Sequence, residues 1–229
     1  LLASMYFMQI VWGLRKEPFI GVRPLNHAKE APTTGAWQFT NAIDSWSWQG
    51  YEGEKAVVEV YANSASVRLL LNGKEIANKP VKKYKTLFKL PYQPGTLTAE
   101  ALDERGNVIS SHSLTTAGEE TVLRVTPDKM VLCANNQALC YLPIEFTDKA
   151  GNLKPYMEQR VEVAVAGAAT LAGFGSALCK TNEVFDKPYH HSYRGRCLAV
   201  LRAGSTPGKA KVTVTSAGME PVTIEVEVQ

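Results

Sequence analysis

Two glutamate pairs, one histidine pair and four cysteines are the side chains of this 229-residue sequence whose spacing first invites a chemical reading. Glycoside hydrolysis needs two carboxyls held across a sugar, about 5 Å apart when configuration is retained. Glu119 and Glu120 are neighbours in a linker-like stretch, and Glu52 and Glu54 flank a turn glycine. Neither setting holds a carboxyl pair around a ring, so both pairs read as solvated charge. His190 and His191 are adjacent, and on a strand they would point to opposite faces. Metal binding would need both to converge with a third ligand, so a polar loop with Tyr189 and Tyr193 packed beneath it is expected. Cys133, Cys140, Cys179 and Cys197 contain no CxxC pair, which argues against zinc. Two disulfides could be drawn among them in three ways. Cys140, however, shares strand parity with Leu142, Ile144 and Phe146, which makes it a small inward-facing apolar residue, and free buried thiols are preferred. The chain has no Ser/His/Asp order with a nucleophile elbow, and Gly173-Phe-Gly175 lacks the strand-to-helix context of a phosphate loop. No catalytic residue, cofactor or metal site is expected.

Trp46 and Trp48 stand two apart with Tyr51 close behind. If exposed, such a set stacks on sugar rings. If buried, it fills the seam between one domain and the residues before it, each indole N–H seeking an acceptor. The seam is preferred, and sugar contact at Trp46, Trp48 and Tyr51 stays open. The net charge of +3 is mild, and Lys82-Lys83-Tyr84-Lys85 is the one basic cluster. A nucleic-acid surface would want a broader basic face, whereas lysines beside a strand discourage edge-to-edge association. No apolar run approaches the roughly 20 residues that a membrane span needs. The chain begins Leu1-Leu2 with no Met and no basic leader, so it reads as an internal or C-terminal piece of a longer protein. The compartment is left unfixed, with a lean to the cytoplasm, and self-association is left open.

The elements around these residues are mostly β. Residues 4–16 can be helical, with Met5, Met8 and Trp12 recurring at three- and four-residue steps and Arg15-Lys16 in the last turn. Residues 19–23 are extended up to Pro24. Residues 25–43, with Pro32, Gly35 and Trp37, form a long irregular segment of the kind that lies over another surface. From Ala56 the apolar period becomes two. Val67, Leu69 and Leu71 share a face, and Asn72-Gly73 is a tight hairpin turn. Strands at 86–90, 95–102 and 108–113 complete a small immunoglobulin-like sandwich. After a linker at 117–120, strands at 122–125, 130–134, 139–147, 161–166, 197–203, 209–216 and 222–228 indicate a second sandwich. A less regular stretch is expected across 167–196.

The run Trp46-Ser-Trp-Gln-Gly-Tyr-Glu-Gly53, followed by Val58-Glu-Val-Tyr-Ala-Asn63 and Val67-Arg-Leu-Leu-Leu-Asn-Gly-Lys74, resembles the C-terminal part of glycoside hydrolase family 2 β-galactosidases. In that family a sandwich begins just after the catalytic barrel with a similar Trp-x-Trp motif and hairpin. The helix with Tyr6 and Trp12, then Pro18-Phe-Ile-Gly-Val-Arg-Pro24, looks like the last helix and exit strand of the barrel. Val125-Thr-Pro-Asp128, Phe146-Thr-Asp-Lys-Ala-Gly-Asn152, Leu171-Ala-Gly-Phe-Gly-Ser176 and Tyr193-Arg-Gly-Arg196 resemble the family's terminal immunoglobulin-like domain. Ser45 stands where many relatives have His, and Cys179 and Cys197 look particular to this chain. The resemblance implies a mainly β fold: two immunoglobulin-like β-sandwich domains, at 46–118 and 119–229, after a helical and irregular tail of a (β/α)8 barrel at 1–45. It also implies a retaining β-galactosidase as parent, with both catalytic glutamates upstream of Leu1. The chain itself would be an inactive brace whose partner is the catalytic barrel of the same polypeptide. The alternative reading of the residues is a β-sandwich module that binds carbohydrate or a surface partner, and charge and hydropathy point to neither nucleic acid nor membrane.

Overall fold

The structure is a computed structural model that describes residues 3–28, 39–178 and 180–229. The expected irregular path through Pro32, Gly35 and Trp37, and the state of Cys179, lie outside the described residues. The chain is mainly β and divides into two compact units, Leu1–Thr116 and Ala117–Gln229. Among the described residues there is one α-helix and no helix long and apolar enough to cross a membrane.

In the first unit, helix α1 (Ala3–Val11) precedes strand β1 (Phe19–Val22). The strands β2 (Lys55–Tyr61), β3 (Ser66–Leu71), β4 (Lys74–Pro80), β5 (Lys85–Pro91), β6 (Thr96–Leu102) and β7 (Val108–Thr115) follow. They form two sheets, β1-β2-β5 and β4-β3-β6-β7. The inward residues of both sheets, among them Val58, Val60, Val67, Leu69, Phe88 and Leu97, meet in one core. Strict alternation on β3 and β5 sends Val67, Leu69, Leu71, Phe88 and Leu90 into that core, as the period-two pattern requires.

The helix is shorter than the sequence pattern suggests. It ends at Val11, where Gly13 turns left-handed at φ 70 and the amides of Leu14 and Arg15 close back on the Gln9 carbonyl at 2.8 and 3.2 Å. That is the usual glycine stop after a helix. Its buried face is Ala3 and Ile10 with Tyr6 and Phe7 beside them, whereas Met8 and Trp12 are exposed. The Tyr6 ring stacks on Phe19 at 4.3 Å, and Phe19 stacks on Tyr61. The helix therefore lies on the outer face of β1 and β2, where Phe19–Val22 and residues 58–61 are buried on both sides, while β5 keeps one face exposed. β1 pairs antiparallel with β2, Ile20 opposite Val60, and Val22 bridges Ile43.

That double burial encloses a charge. Glu59 on β2 is fully buried and accepts hydrogen bonds from Arg23 Nε at 2.8 Å, the Tyr61 hydroxyl at 2.8 Å and Lys85 Nζ at 2.6 Å. Burial pushes the Glu59 carboxyl up, but these donors outweigh it and hold it below its ordinary 4.5. Burial and the adjacent carboxylate push the Tyr61 phenol far up, so it stays a donor.

The second unit contains β8 (Val122–Val125), β9 (Val131–Leu132), β10 (Leu139–Thr147), β11 (Arg160–Gly167), β12 (Ala169–Gly175), β13 (Tyr189–His191), β14 (Arg196–Ala203), β15 (Gly208–Ser216) and β16 (Val222–Val228). A four-stranded sheet, β12-β14-β10-β8, packs on a five-stranded sheet, β13-β11-β15-β16-β9, around Leu142, Ile144, Phe146, Phe174, Leu201, Val212 and Val226. The stretch expected to be irregular contains two strands, β12 and β13. Lys154 is fully buried, its ammonium donating to the Glu119 carbonyl at 2.7 Å and Thr121 Oγ1 at 2.9 Å.

A carboxyl with a depressed folded pKa contributes stability that is complete above its unfolded value and is lost as pH falls through the folded one. All four tryptophans lie in the first unit, so indole fluorescence reports its unfolding. Urea titrations should show this unit weakening as pH drops below 4.5. Glu59→Gln should flatten that slope and cost about 1–3 kcal/mol at neutral pH, because it removes the charge-assisted hydrogen bonds from the partly exposed Arg23 and Lys85. A variant with wild-type stability and pH dependence would contradict the assignment.

Candidate functional site

The Trp-x-Trp junction lies between β1 and β2 and belongs to no strand. Both indoles are fully buried in the core of the first unit. Trp46 Nε1 donates to the Gln93 carbonyl at 3.0 Å, and its ring meets Tyr92 edge-on at 4.9 Å. The Trp46 carbonyl accepts from Thr116 Oγ1 at 2.7 Å and from the Tyr92 hydroxyl at 3.4 Å. That hydroxyl in turn accepts from the Trp48 amide at 3.1 Å. Trp48 Nε1 is buried without an acceptor among the described residues. Tyr51 is half-buried against the same core. Neither indole offers a face to solvent, so CH–π stacking on a sugar has no platform at Trp46 or Trp48 in this chain. Tyr92 and Thr116, which tie the junction down, carry no local sequence signal, because they stand 46 and 70 residues from Trp46.

The carboxylate pairs stay apart from any cleft. Glu52 bonds the Gly50 amide of its own turn, Glu54 is exposed, and exposed Glu120 pairs with Lys149. No group of three or more His, Cys, Asp or Glu positioned to hold a metal occurs among the described residues.

The histidine pair is more structured than a polar loop. β13 places His190 inward, fully buried, and His191 outward, as alternation demands. Glu183 nevertheless reaches both. Its carboxylate is 2.8 Å from His191 Nδ1, 3.3 Å from His190 Nδ1 and 3.2 Å from the His191 amide. His190 Nδ1 lies 2.8 Å from the His191 carbonyl, an acceptor only, so Nδ1 carries the proton. Phe185 stacks on the His190 imidazole at 5.5 Å and occupies the space that a Cβ on Gly175 would need. Burial raises the Glu183 carboxyl, but the hydrogen bonds from His191 prevail and lower it. Cys197, buried with Glu183 nearby, has its thiol pushed up to about 12. Cys140 is buried, donates towards the Lys129 carbonyl at 3.2 Å and is likewise raised. These two are free, poorly nucleophilic thiols. Cys133 is also free but exposed, unlike the buried position expected for it. His191 is exposed whereas His190 and Cys197 are buried, and the contacts of Glu183 and Phe185 tie the segment that carries them to β13.

Residues 123–225 match the family described as Glycoside hydrolase family 2 C-terminal domain 5. The second unit is a family 2 glycoside hydrolase C-terminal-type domain. Residues 53–110 of the first unit match a Domain of unknown function (DUF4982). The chain is 29% identical over 195 residues to Beta-galactosidase BoGH2A of Bacteroides ovatus, covering 84% of this chain and 23% of that protein. A glycosyl hydrolase family 2 member from Bacteroides cellulosilyticus superposes with a TM-score of 0.85 at 26% identity, over 98% of this chain and 30% of that one. A beta-glycosidase from Bacteroides vulgatus shares the fold at 21% identity, with a TM-score of 0.77 over 98% of this chain and 26% of its own. The chain thus spans less than a third of the length of each of these relatives.

The two indoles should respond differently to loss of their N–H. Trp46→Phe removes the bond to the Gln93 carbonyl, whereas Trp48→Phe removes a buried donor that has no acceptor among the described residues. A hydrogen bond of this kind contributes about 0.5–1.5 kcal/mol net, and Gln93 is exposed, so that water can answer its carbonyl. Trp46→Phe should therefore be the more destabilising by about 1 kcal/mol in urea titrations. Equal effects, or the reverse order, would contradict the hydrogen-bond assignment.

Proposed function

We propose that this chain is the non-catalytic C-terminal region of a family 2 glycoside hydrolase of β-galactosidase type and braces the catalytic barrel of the same polypeptide. The match of residues 123–225 to the family's C-terminal domain carries this reading, and the 195-residue likeness to a β-galactosidase supports it. In this account residues 1–45 are the tail of the barrel, 46–118 the first immunoglobulin-like domain and 119–229 the second. The parent hydrolyses terminal β-galactosides with retention, one glutamate acting as acid/base and another as nucleophile. Both belong upstream of Leu1.

The bracing contact falls to the uncovered side of the N-terminal segment. Trp12 is 67% exposed and Leu14 74%, with Met8 beside them. Apolar groups grouped in this way mark a surface made to be covered. Trp46 and Trp48 serve the same end from inside, by stiffening the sandwich that carries this segment.

The chain alone should release no nitrophenol from nitrophenyl β-galactoside above a blank, and the reading frame upstream should encode a barrel with two catalytic glutamates. Turnover by the purified chain would overturn its non-catalytic role. An upstream region without such a barrel would overturn the parentage.

A further inference from the structure

We propose that the cleft beside the β4–β5 turn is a binding site for an oligosaccharide bearing carboxylate or sulfate groups. The inference holds whether or not the chain belongs to a galactoside-cleaving parent.

The cleft measures about 510 Å³, within the range of about 300–1,000 Å³ that takes small ligands. Its floor is apolar: Phe7 from α1, Phe39, and Leu87 from β5, with Phe39 and Leu87 exposed. Its rim is cationic: Lys82, Lys83 and Lys85, with no acidic residue in the lining among the described residues. The sequence alone makes these lysines a guard on a strand edge. The structure folds them into a two-residue turn, with the Lys82 and Lys85 amides and carbonyls bonded to each other at 3.1 Å. The two central residues, Lys83 and Tyr84, are left-handed at φ 51 and 62. Such turns normally take Asn-Gly, and a side chain with a Cβ is tolerated there at a steric cost. Strain of this kind gathers where a side chain is held for a ligand.

Among the described residues, one lysine of the rim is engaged and two are not. Lys85 is already engaged by Glu59 and lies 5.8 Å from the Phe39 ring centroid. Glu59 is shared between Lys85 and Arg23. The ammonium groups of Lys82 and Lys83 have no ion-pair partner among the described residues. Among the described residues, three lysines thus line an apolar floor, and one of them, Lys85, is answered by Glu59. A ligand that fits has a CH-rich face for Phe39 and Leu87 and an anionic group for Lys82 and Lys83. A sugar ring carrying carboxylate or sulfate has both, whereas a neutral sugar leaves the lysines unanswered and a bare anion leaves the floor empty.

The test is a titration of the isotope-labelled 229-residue chain with digalacturonate, neutral galactobiose, inorganic sulfate and a tetraglutamate peptide, followed by amide shifts. Digalacturonate should move the amides of Phe39 and of Lys82 to Leu87 saturably, and bind about tenfold or more tighter than galactobiose or sulfate, the worth of one charge-assisted contact. Lys82→Gln with Lys83→Gln should lose about tenfold in digalacturonate affinity, and Phe39→Ala should weaken it as well, with spectra elsewhere unchanged. No saturable shift at these amides, galactobiose or sulfate binding as tightly, or an unaltered lysine double variant would overturn the site. Tetraglutamate binding more tightly than digalacturonate would overturn the glycan in favour of an acidic peptide.

Discussion

The bond from the Thr116 hydroxyl to the Trp46 carbonyl closes the first unit on itself. It joins the last residue of that unit to the segment that opens its sandwich, 70 residues earlier. Tyr92 sits between, one hydroxyl serving both the Trp46 carbonyl and the Trp48 amide. The junction has no strand of its own, so its backbone groups depend on such side-chain partners to be buried at all. Two indoles of large area are thereby held inside the sandwich, and each is worth on the order of 2–3 kcal/mol of burial. The aromatic motif is an internal fastening.

A second layer rests on this one. With the junction fixed, β1 can pair with β2, and α1 can cover the outer face of the sheet through Tyr6, Phe19 and Tyr61. The cost is a buried carboxylate, Glu59, answered by three donors from β2, β5 and the residue after β1. A buried carboxylate satisfied in this way adds little net stability but punishes any register in which its donors are misplaced. For a region read as a brace, a fixed angle for α1 matters more than extra stability. The residues left uncovered, Trp12 and Leu14, then present one defined surface.

The parts of this fold that were legible in sequence are those where period and turn chemistry agree locally. β3 and β5 alternate cleanly, and Asn72-Gly73 takes left-handed φ at both positions. What stayed hidden depends on distant partners. Asn72 also braces the loop before β6, its Oδ1 accepting from the Thr96 amide at 2.9 Å and its side chain filling the space above Gly95. β12 was concealed because Gly173 and Gly175 break its apolar pattern, and a bulge shifts its register between Leu171 and Gly173. β13 is only three residues long and is polar at two of them. The helix pattern ran on to Lys16 because Trp12 and Leu14 fit its period, and Gly13 between them outweighs that fit. Of the candidate residues, the burial of Trp46 and Trp48 could be anticipated from their preference for a seam. Their partners could not, nor could Glu183 binding two histidines on opposite faces of a strand.

Hydrogen exchange at the junction tests the fastening most directly. If Trp46, Tyr92 and Thr116 close the first unit, the Trp48 amide, bonded only to a tyrosine hydroxyl, should exchange as slowly as the core amides of β2 and β3. Thr116→Val should then speed that exchange and that of β1 together. A Trp48 amide that exchanges at the rate of an open loop while β2 and β3 stay protected would contradict the account.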